Sequence, residues 1–237
     1  MSKNRLAIAF ALYTSFCCGQ EIKRPQELWV FRSVLDSRAR VITVALHEDL
    51  YVAYDGNSGG LIKIWKEGVV LDGAVYTTKH GPQPTSLGKA YSKGIVDEPN
   101  WFIYKDDKPV ETKVQFRGYT WKNNKVIFHY RLTAVNSVSI DIDETPEYTF
   151  NTKDNKIGLD RRFMIKDMPA GYTVGLKVYS ENMVKKTDFA TDGRFVTEAR
   201  TERFLPSGPV YDLKGTLFFK SNTESKLVTF YDPNAVK

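Results

Sequence analysis

The chain has 237 residues, enough to bury a sizeable core, and its 13% aromatic and 26% charged residues exclude a disordered protein. Its formal net charge is +6, yet the basic residues are scattered among acidic ones, with pairs such as Lys185-Lys186 as the longest basic groups. A scattered excess is typical of a solvated surface, so we expect no nucleic-acid partner.

The N-terminus has the pattern of a signal peptide. Lys3 and Arg5 precede an apolar run of 13 residues, which is too short to span a bilayer comfortably. Small residues follow, and they predict a signal peptide over residues 1–19 with cleavage before Gln20. The mature protein is therefore expected to be exported to the periplasm or beyond, with no transmembrane segment.

Cysteine is confined to that leader, at Cys17 and Cys18. The body of the chain therefore has no internal disulfide, no zinc site of the cysteine type and no covalently attached haem. Its histidines have no ligand spacing, so we expect no metal and no cofactor. Lipid anchoring through Cys17 or Cys18 is an alternative, although the residue before each is poor for a lipidation signal.

Alternation of apolar and polar residues predicts strands along the whole body, and no helix longer than two turns. Strands so closely spaced, separated by Gly, Pro, Asn and Asp turns, favour one all-β domain over residues 20–237, a large antiparallel β-sandwich. The predicted strands are Leu28–Ser33, Arg40–His47, Leu50–Asp55, Leu61–Lys66, Trp101–Lys105, Glu111–Trp121, Lys125–Thr133, Ser137–Asp143, Glu147–Asn151, Leu159–Lys166, Tyr172–Ser180, Arg194–Arg200, Leu213–Lys220 and Lys226–Tyr231.

The block from Trp65 to Ser86 gathers most of the groups expected to form a site. His80 stands before the stiff turn 81–84, which would hold an imidazole suited to acid or base chemistry near neutral pH. Asp72 is its expected acidic partner, although an aspartate before a glycine also caps turns. The expected ligand-binding residues of the block are Trp65 and Tyr76 as an apolar wall, with Thr78 and Gln83 as hydrogen-bonding groups.

Two further residues are expected to bind ligand. His47 ends a strand ahead of two carboxylates, so it is either a turn residue or part of a site. Arg161 and Arg162 are neighbours on a strand and must point to opposite faces, and the inward one needs a carboxylate or a ligand. Arg162 is counted among the ligand-binding residues. His129 alternates with core residues and is expected to face solvent or a polar cleft.

Residues 28–90 contain the segments LWVFRSVLD, VALHEDLYVAYD and LIKIWKEGVVLDGAVYTTKHGPQPTSLG. This part resembles a module at the start of large exported bacterial proteins that combine c-type cytochrome and quinoprotein sugar dehydrogenase-like domains. The resemblance implies an envelope location and a cytochrome or dehydrogenase partner. The chain departs from those proteins because it lacks C-x-x-C-H and is too short for the dehydrogenase. Its later part looks like galactose-mutarotase-type supersandwiches.

These observations favour an exported carbohydrate-binding or docking module, associated with envelope sugar oxidation and without a redox centre of its own. The alternative is a mutarotase-like enzyme that acts on a sugar through His80 and Asp72 as an acid/base pair. A purely structural domain that docks a separate cytochrome or dehydrogenase is a third reading. Whether the protein is an enzyme stays open at this point.

Overall fold

The alternation of apolar and polar residues along the chain produces strands. The structure is a computed structural model, and it describes residues 20–22, 28–71, 82–93, 100–177, 187–188, 194–198, 203–204, 216–219, 221–222 and 224–234. The predicted all-β fold is confirmed: several sheets pack together as in a β-sandwich. Nothing helical in these ranges has the length and apolarity needed to cross a membrane.

Twenty strands lie in the described residues, and several consist of only two or three residues. In chain order they are β1 Gln20–Ile22, β2 Trp29–Leu35, β3 Arg38–His47, β4 Leu50–Asp55, β5 Leu61–Trp65, β6 Val69–Leu71, β7 Thr85–Ser86, β8 Ala90–Lys93, β9 Trp101–Lys105, β10 Lys108–Val110, β11 Thr112–Lys122, β12 Lys125–Ala134, β13 Ser139–Asn151, β14 Lys156–Lys166, β15 Tyr172–Lys177, β16 Thr187–Asp188, β17 Arg194–Glu198, β18 Arg203–Phe204, β19 Thr216–Phe219 and β20 Glu224–Tyr231.

The strands form four sheets, with the orders β2-β3-β4-β5-β8, β11-β12-β13-β14-β20-β17-β18-β16, β10-β9-β15-β19 and β1-β6-β7. Neighbours are antiparallel except in two of the described ladders, β16 with β18 and β17 with β20. The main hydrophobic core takes residues from the first three of these sheets, and a second core packs on the other face of the five-stranded sheet.

Burial of the strands explains where the alternation is clear and where it fails. β12 buries every second residue from Val126 to Ala134, because only one of its faces meets the core. β4 is buried along its whole length, since the five-stranded sheet has apolar cover on both faces. A strand covered on both faces reads as a continuous apolar run.

The sequence prediction was wrong to divide one strand into Ser137–Asp143 and Glu147–Asn151, with Pro146 in the break between them. β13 runs without a break through that proline, which pairs with Arg161 of β14. Pairing of β13 with β12 ends at Glu144, two residues earlier. Proline is tolerated there because the ladder on one side has already ended.

A charged network joins the two largest sheets inside the main core. Glu144 of β13 is fully buried, and its Oε1 accepts hydrogen bonds from Tyr54 Oη of β4 at 2.8 Å and from Arg161 Nε at 2.7 Å. Burial alone would lower the pKa of Arg161, but the Glu144 carboxylate outweighs it and the pKa is raised. Arg161 is therefore the inward residue of the arginine pair, held by a carboxylate as the alternation requires.

Removing the cation of this network is predicted to be costly. Arg161→Met should lower the free energy of unfolding by about 3–5 kcal/mol, because Glu144 would be left as an unpaired charge in the core. Arg162→Met is the matched control, since its side chain is 30% exposed, and it should cost less than about 1 kcal/mol. Urea unfolding of both variants makes the measurement. If both variants lost the same small amount of unfolding free energy, the ion pair of Arg161 and Glu144 would contribute little to stability.

Candidate functional site

One end of the sandwich gathers aromatic rings and carboxylates around His47. His47 closes β3, and the short turn to β4 brings Glu48 and Asp49 beside it. Its imidazole stacks on the Tyr148 ring of β13, with ring centroids 4.0 Å apart and planes 10° from parallel. The five-stranded and eight-stranded sheets thus meet here through two flat rings.

The hydrogen bonds of His47 fix which ring nitrogen carries the proton. The backbone N–H of Asp49 donates to Nδ1 at 3.2 Å, so Nδ1 is an acceptor and the neutral ring carries its proton on Nε2. The side chain is 31% exposed, which leaves the imidazole partly accessible at the surface. His47 can therefore offer a donor to a ligand at this edge.

A second stacked pair lies in the same region, between Tyr91 of β8 and Tyr231 of β20, with centroids 5.4 Å apart. The Tyr91 hydroxyl is buried without a hydrogen-bond partner among the protein atoms. Its pKa is raised, first by burial and then by the nearby negative charges of Asp49 and Glu67. The stacked pair therefore contains a buried polar atom whose hydrogen bond is not made within the protein.

The carboxylates of this region are not neutralised by basic side chains. Among the described residues, Glu48, Asp49, Glu67 and Asp232 form no ion pair with a lysine or arginine. Lys66, the basic residue closest to them in sequence, instead donates to the carbonyl of Pro233 at 3.1 Å. Asp232 Oδ1 accepts from the backbone N–H of Asn234 at 2.8 Å, and a carboxylate has further lone pairs that can accept from a ligand. We call His47, Asp49, Glu67, Tyr91, Tyr148 and Asp232 the strand-end cluster.

The turn after β5 holds Glu67 in place. Glu67 has a positive φ of 79°, and its carboxylate lies where a side chain at Gly88 would otherwise stand, 2.5 Å from an ideal Cβ there. Trp65 secures the turn, since its indole Nε1 donates to the carbonyl of Gly68 at 2.7 Å. The β5–β6 turn is thus fixed from the core side.

Two residues of the strand-end cluster, together with the neighbouring Glu48, have the donor set of a cation site. Ligand atoms of His47, Glu48 and Asp49 all lie within 4.8 Å of one another. A neutral imidazole with two carboxylates suits several divalent ions. Exposed acidic groups commonly occur without an ion, and the expectation of no metal stays a prediction.

Of the predicted site residues, the structure describes Trp65, Gln83, His47 and Arg162. Trp65 is fully buried in the second core and packs on Tyr51, so it forms no wall of an open site; the expectation was wrong because this sheet is covered on both faces. Gln83 is half-buried beside Pro84, whose carbonyl accepts from the N–H of Asp36. The carboxylate of Asp36 in turn accepts from the backbone N–H of Ser86 at 2.8 Å, so this loop is bound to the β2–β3 turn.

Arg162 lies on the outer face of the eight-stranded sheet. Its guanidinium is within 3.3 Å of Asp160 and 3.4 Å of Glu147, so its partners are carboxylates of its own sheet. It does not join the strand-end cluster, because Tyr148 points to the core side of the same sheet. Four other predicted site residues lie outside the described residues, namely Asp72, Tyr76, Thr78 and His80.

Comparison with protein-family models, with curated proteins and with solved structures finds no match to this chain. The chemistry of the strand-end cluster therefore rests on its own geometry. Aromatic rings, a partly exposed imidazole and carboxylate acceptors are groups that bind polyhydroxylated ligands.

Sequence patterns identified His47 but missed Tyr148, Tyr91 and Glu67. Tyr148 and Tyr91 sit on strands that bear ordinary alternating residues, so nothing local separates them from core aromatics. The one local signal was at Glu67, which precedes a glycine after the strand that ends at Trp65. Such a position favours a turn that can present a carboxylate.

The anchoring role of Trp65 leads to a prediction about the β5–β6 turn. Trp65→Phe should lower the free energy of unfolding by about 1–3 kcal/mol, because it removes the bond to the buried Gly68 carbonyl and leaves a gap in the core. Trp121→Phe is the control, since Trp121 is 47% exposed and its replacement should change stability little. Denaturant unfolding compares the two; equal effects would contradict the anchor.

Proposed function

We propose that this protein is an exported carbohydrate-binding or docking module, associated with sugar oxidation in the cell envelope, and that it binds sugar at the strand-end cluster. The pattern of residues 1–19 supports export. The resemblance of residues 28–90 supports the envelope context and a cytochrome or dehydrogenase partner. The protein itself holds no redox centre in this proposal.

The observation that carries the proposal is the stacked pair of His47 and Tyr148 beside the carboxylate of Asp49, which lies 3.8 Å from His47 Nδ1. A sugar ring presents an apolar C–H face and a rim of hydroxyls. Aromatic faces match the first, and carboxylates such as Asp49 and Glu67 accept from the second.

Preorganisation supports the same proposal. The rings of the strand-end cluster are already stacked in pairs, and Glu67 is fixed by a turn tied to the core. Binding therefore orders few additional side chains, which lowers its entropic cost. A ligand site of this kind needs no conformational change in the sheets.

The second proposal is the mutarotase-like enzyme that uses His80 and Asp72. Both residues lie outside the described residues, so their pattern in the sequence is its support. Such chemistry needs an acid and a base on either side of one sugar carbon. This proposal would be excluded if the protein bound the sugar without converting it and if His80→Ala and Asp72→Ala bound it with the affinity of the natural chain.

A glycan array followed by calorimetry tests the binding site. With the glycan that binds most strongly, Tyr148→Ala and Glu67→Gln should each raise the dissociation constant about tenfold. This corresponds to a loss of about 1.4 kcal/mol of binding free energy. Trp121→Ala removes an exposed aromatic ring elsewhere and should leave the affinity unchanged.

Three results would contradict this account. The array could detect no glycan, the two strand-end variants could bind as well as the natural chain, or Trp121→Ala could weaken binding as much as they do. Loss of binding in His80→Ala alone would move the site to the block of residues 72–81.

A further inference from the structure

A hydrogen-bonded row of three side chains lies on the outer face of the eight-stranded sheet, across β11, β12 and β13. Thr120 Oγ1 is 3.0 Å from His129 Nε2, and His129 Nδ1 is 2.7 Å from Asp143 Oδ1. The cross-strand register explains the row, because His129 pairs directly with Asp143 and the residues alternate between core and solvent. His129 and Asp143 are 32% and 23% exposed, so the row is open to solute.

The partners of Asp143 determine where the protons are. Lys166 Nζ lies 2.6 Å from Asp143 Oδ2, which favours the ionised carboxylate. An ionised carboxylate only accepts, so His129 Nδ1 carries a proton and donates it. Nε2 of the neutral ring is then an acceptor, and the Thr120 hydroxyl donates to it. A hydroxyl is thus hydrogen-bonded to a base whose orientation a carboxylate fixes, the arrangement that activates hydroxyl nucleophiles.

The backbone beside His129 leaves room for a substrate. β11 carries a bulge between Phe116 and Gly118, and Gly118 pairs with His129. Gly118 has a φ of 116°, and a Cβ there would meet nothing within 4 Å, so the space next to the imidazole is open. Arg117 is the residue of the bulge that has no cross-strand partner, and its side chain is exposed. It lies on the outer face, because its charge helps to lower the pKa of Asp141, although Arg131 lowers that pKa more. The Arg117 guanidinium lies 3.4 Å from Gln115 Oε1.

We propose that Thr120, His129 and Asp143 form a second, hydrolytic site that cleaves small carboxylic esters, independent of sugar binding at the strand-end cluster. Thr120 Oγ1 attacks the ester carbonyl carbon while its proton passes to His129 Nε2. The carbon–oxygen bond to the alcohol then breaks, and His129 returns the proton to the departing alcohol.

A water molecule completes the cycle. It attacks the acyl group on Thr120, gives one proton to His129, and releases the carboxylic acid as the threonine oxygen takes that proton back. No oxidant, reductant or metal enters this balance. Asp143 is a positioning residue, since it acts through His129. The flat, exposed face fits unhindered esters such as acetyl esters, because the row stands in the open and not in a deep pocket.

Hydrolysis of p-nitrophenyl acetate by the purified full chain tests the proposal. Thr120→Val keeps a β-branched residue on the exposed strand and should reduce the rate about 100-fold, as should His129→Gln. Thr133→Val is the matched control: Thr133 lies on the same face and is hydrogen-bonded to Ser139 instead of a histidine, so its loss should leave the rate unchanged. Peptide mass spectrometry of the rapidly acidified reaction should locate one acetyl group on Thr120.

Two results would overturn the proposal. Hydrolysis no faster than in buffer would do so, as would an unchanged rate in Thr120→Val, which would mean that His129 acts as a surface imidazole without a nucleophile. Equal unfolding midpoints for Thr120→Val and Thr133→Val confirm that both variants are folded. In Asp143→Asn, the ring ¹⁵N chemical shifts of His129 should show that the proton has moved from Nδ1 to Nε2, and hydrolysis should be lost. If the proton stays on Nδ1 and the activity is unchanged, Asp143 has no positioning role.

Discussion

A hydrogen bond between Glu144 and Tyr54 joins the two largest sheets inside the main core and constrains how they pack. Each residue comes from a different sheet, and Arg161 balances the charge that the contact buries. A buried ion pair adds little stability over apolar packing, but it tolerates few alternatives, since a shift in register would strand a charge. The relative position of β4 and β13 is thereby specified.

The strand-end cluster depends on that constraint. Tyr148 lies on the same face of β13 as Glu144, and His47 belongs to the hairpin that contains Tyr54. When Glu144 is bonded to Tyr54, Tyr148 is placed against His47, and the flat stacked surface follows. The surface proposed to bind sugar is thus built by a contact in the core.

Much of the fold could be predicted from the sequence, because period-2 alternation is a local property. It placed β4 and β9 at their observed limits and required one of Arg161 and Arg162 to turn inward. It could not say that the five-stranded sheet is covered on both faces, and for that reason Trp65 was misplaced.

The site itself was less predictable, since its contacts are non-local. His47 and Tyr148 are far apart in the sequence and meet only through packing of two sheets. Thr120, His129 and Asp143 become neighbours through cross-strand register, which no spacing along one strand reveals. Polar residues on the outer face of a sheet look alike until their partners are known.

The most direct test of sugar binding at the strand-end cluster is an NMR titration of the isotope-labelled protein with the glycan that binds most strongly on an array. As glycan is added, the ring signals of His47, Tyr148 and Tyr91 and the amide signal of Glu67 should shift together and fit one dissociation constant. Shifts confined to other surfaces, with these four signals unmoved at saturation, would contradict sugar binding at the strand-end cluster.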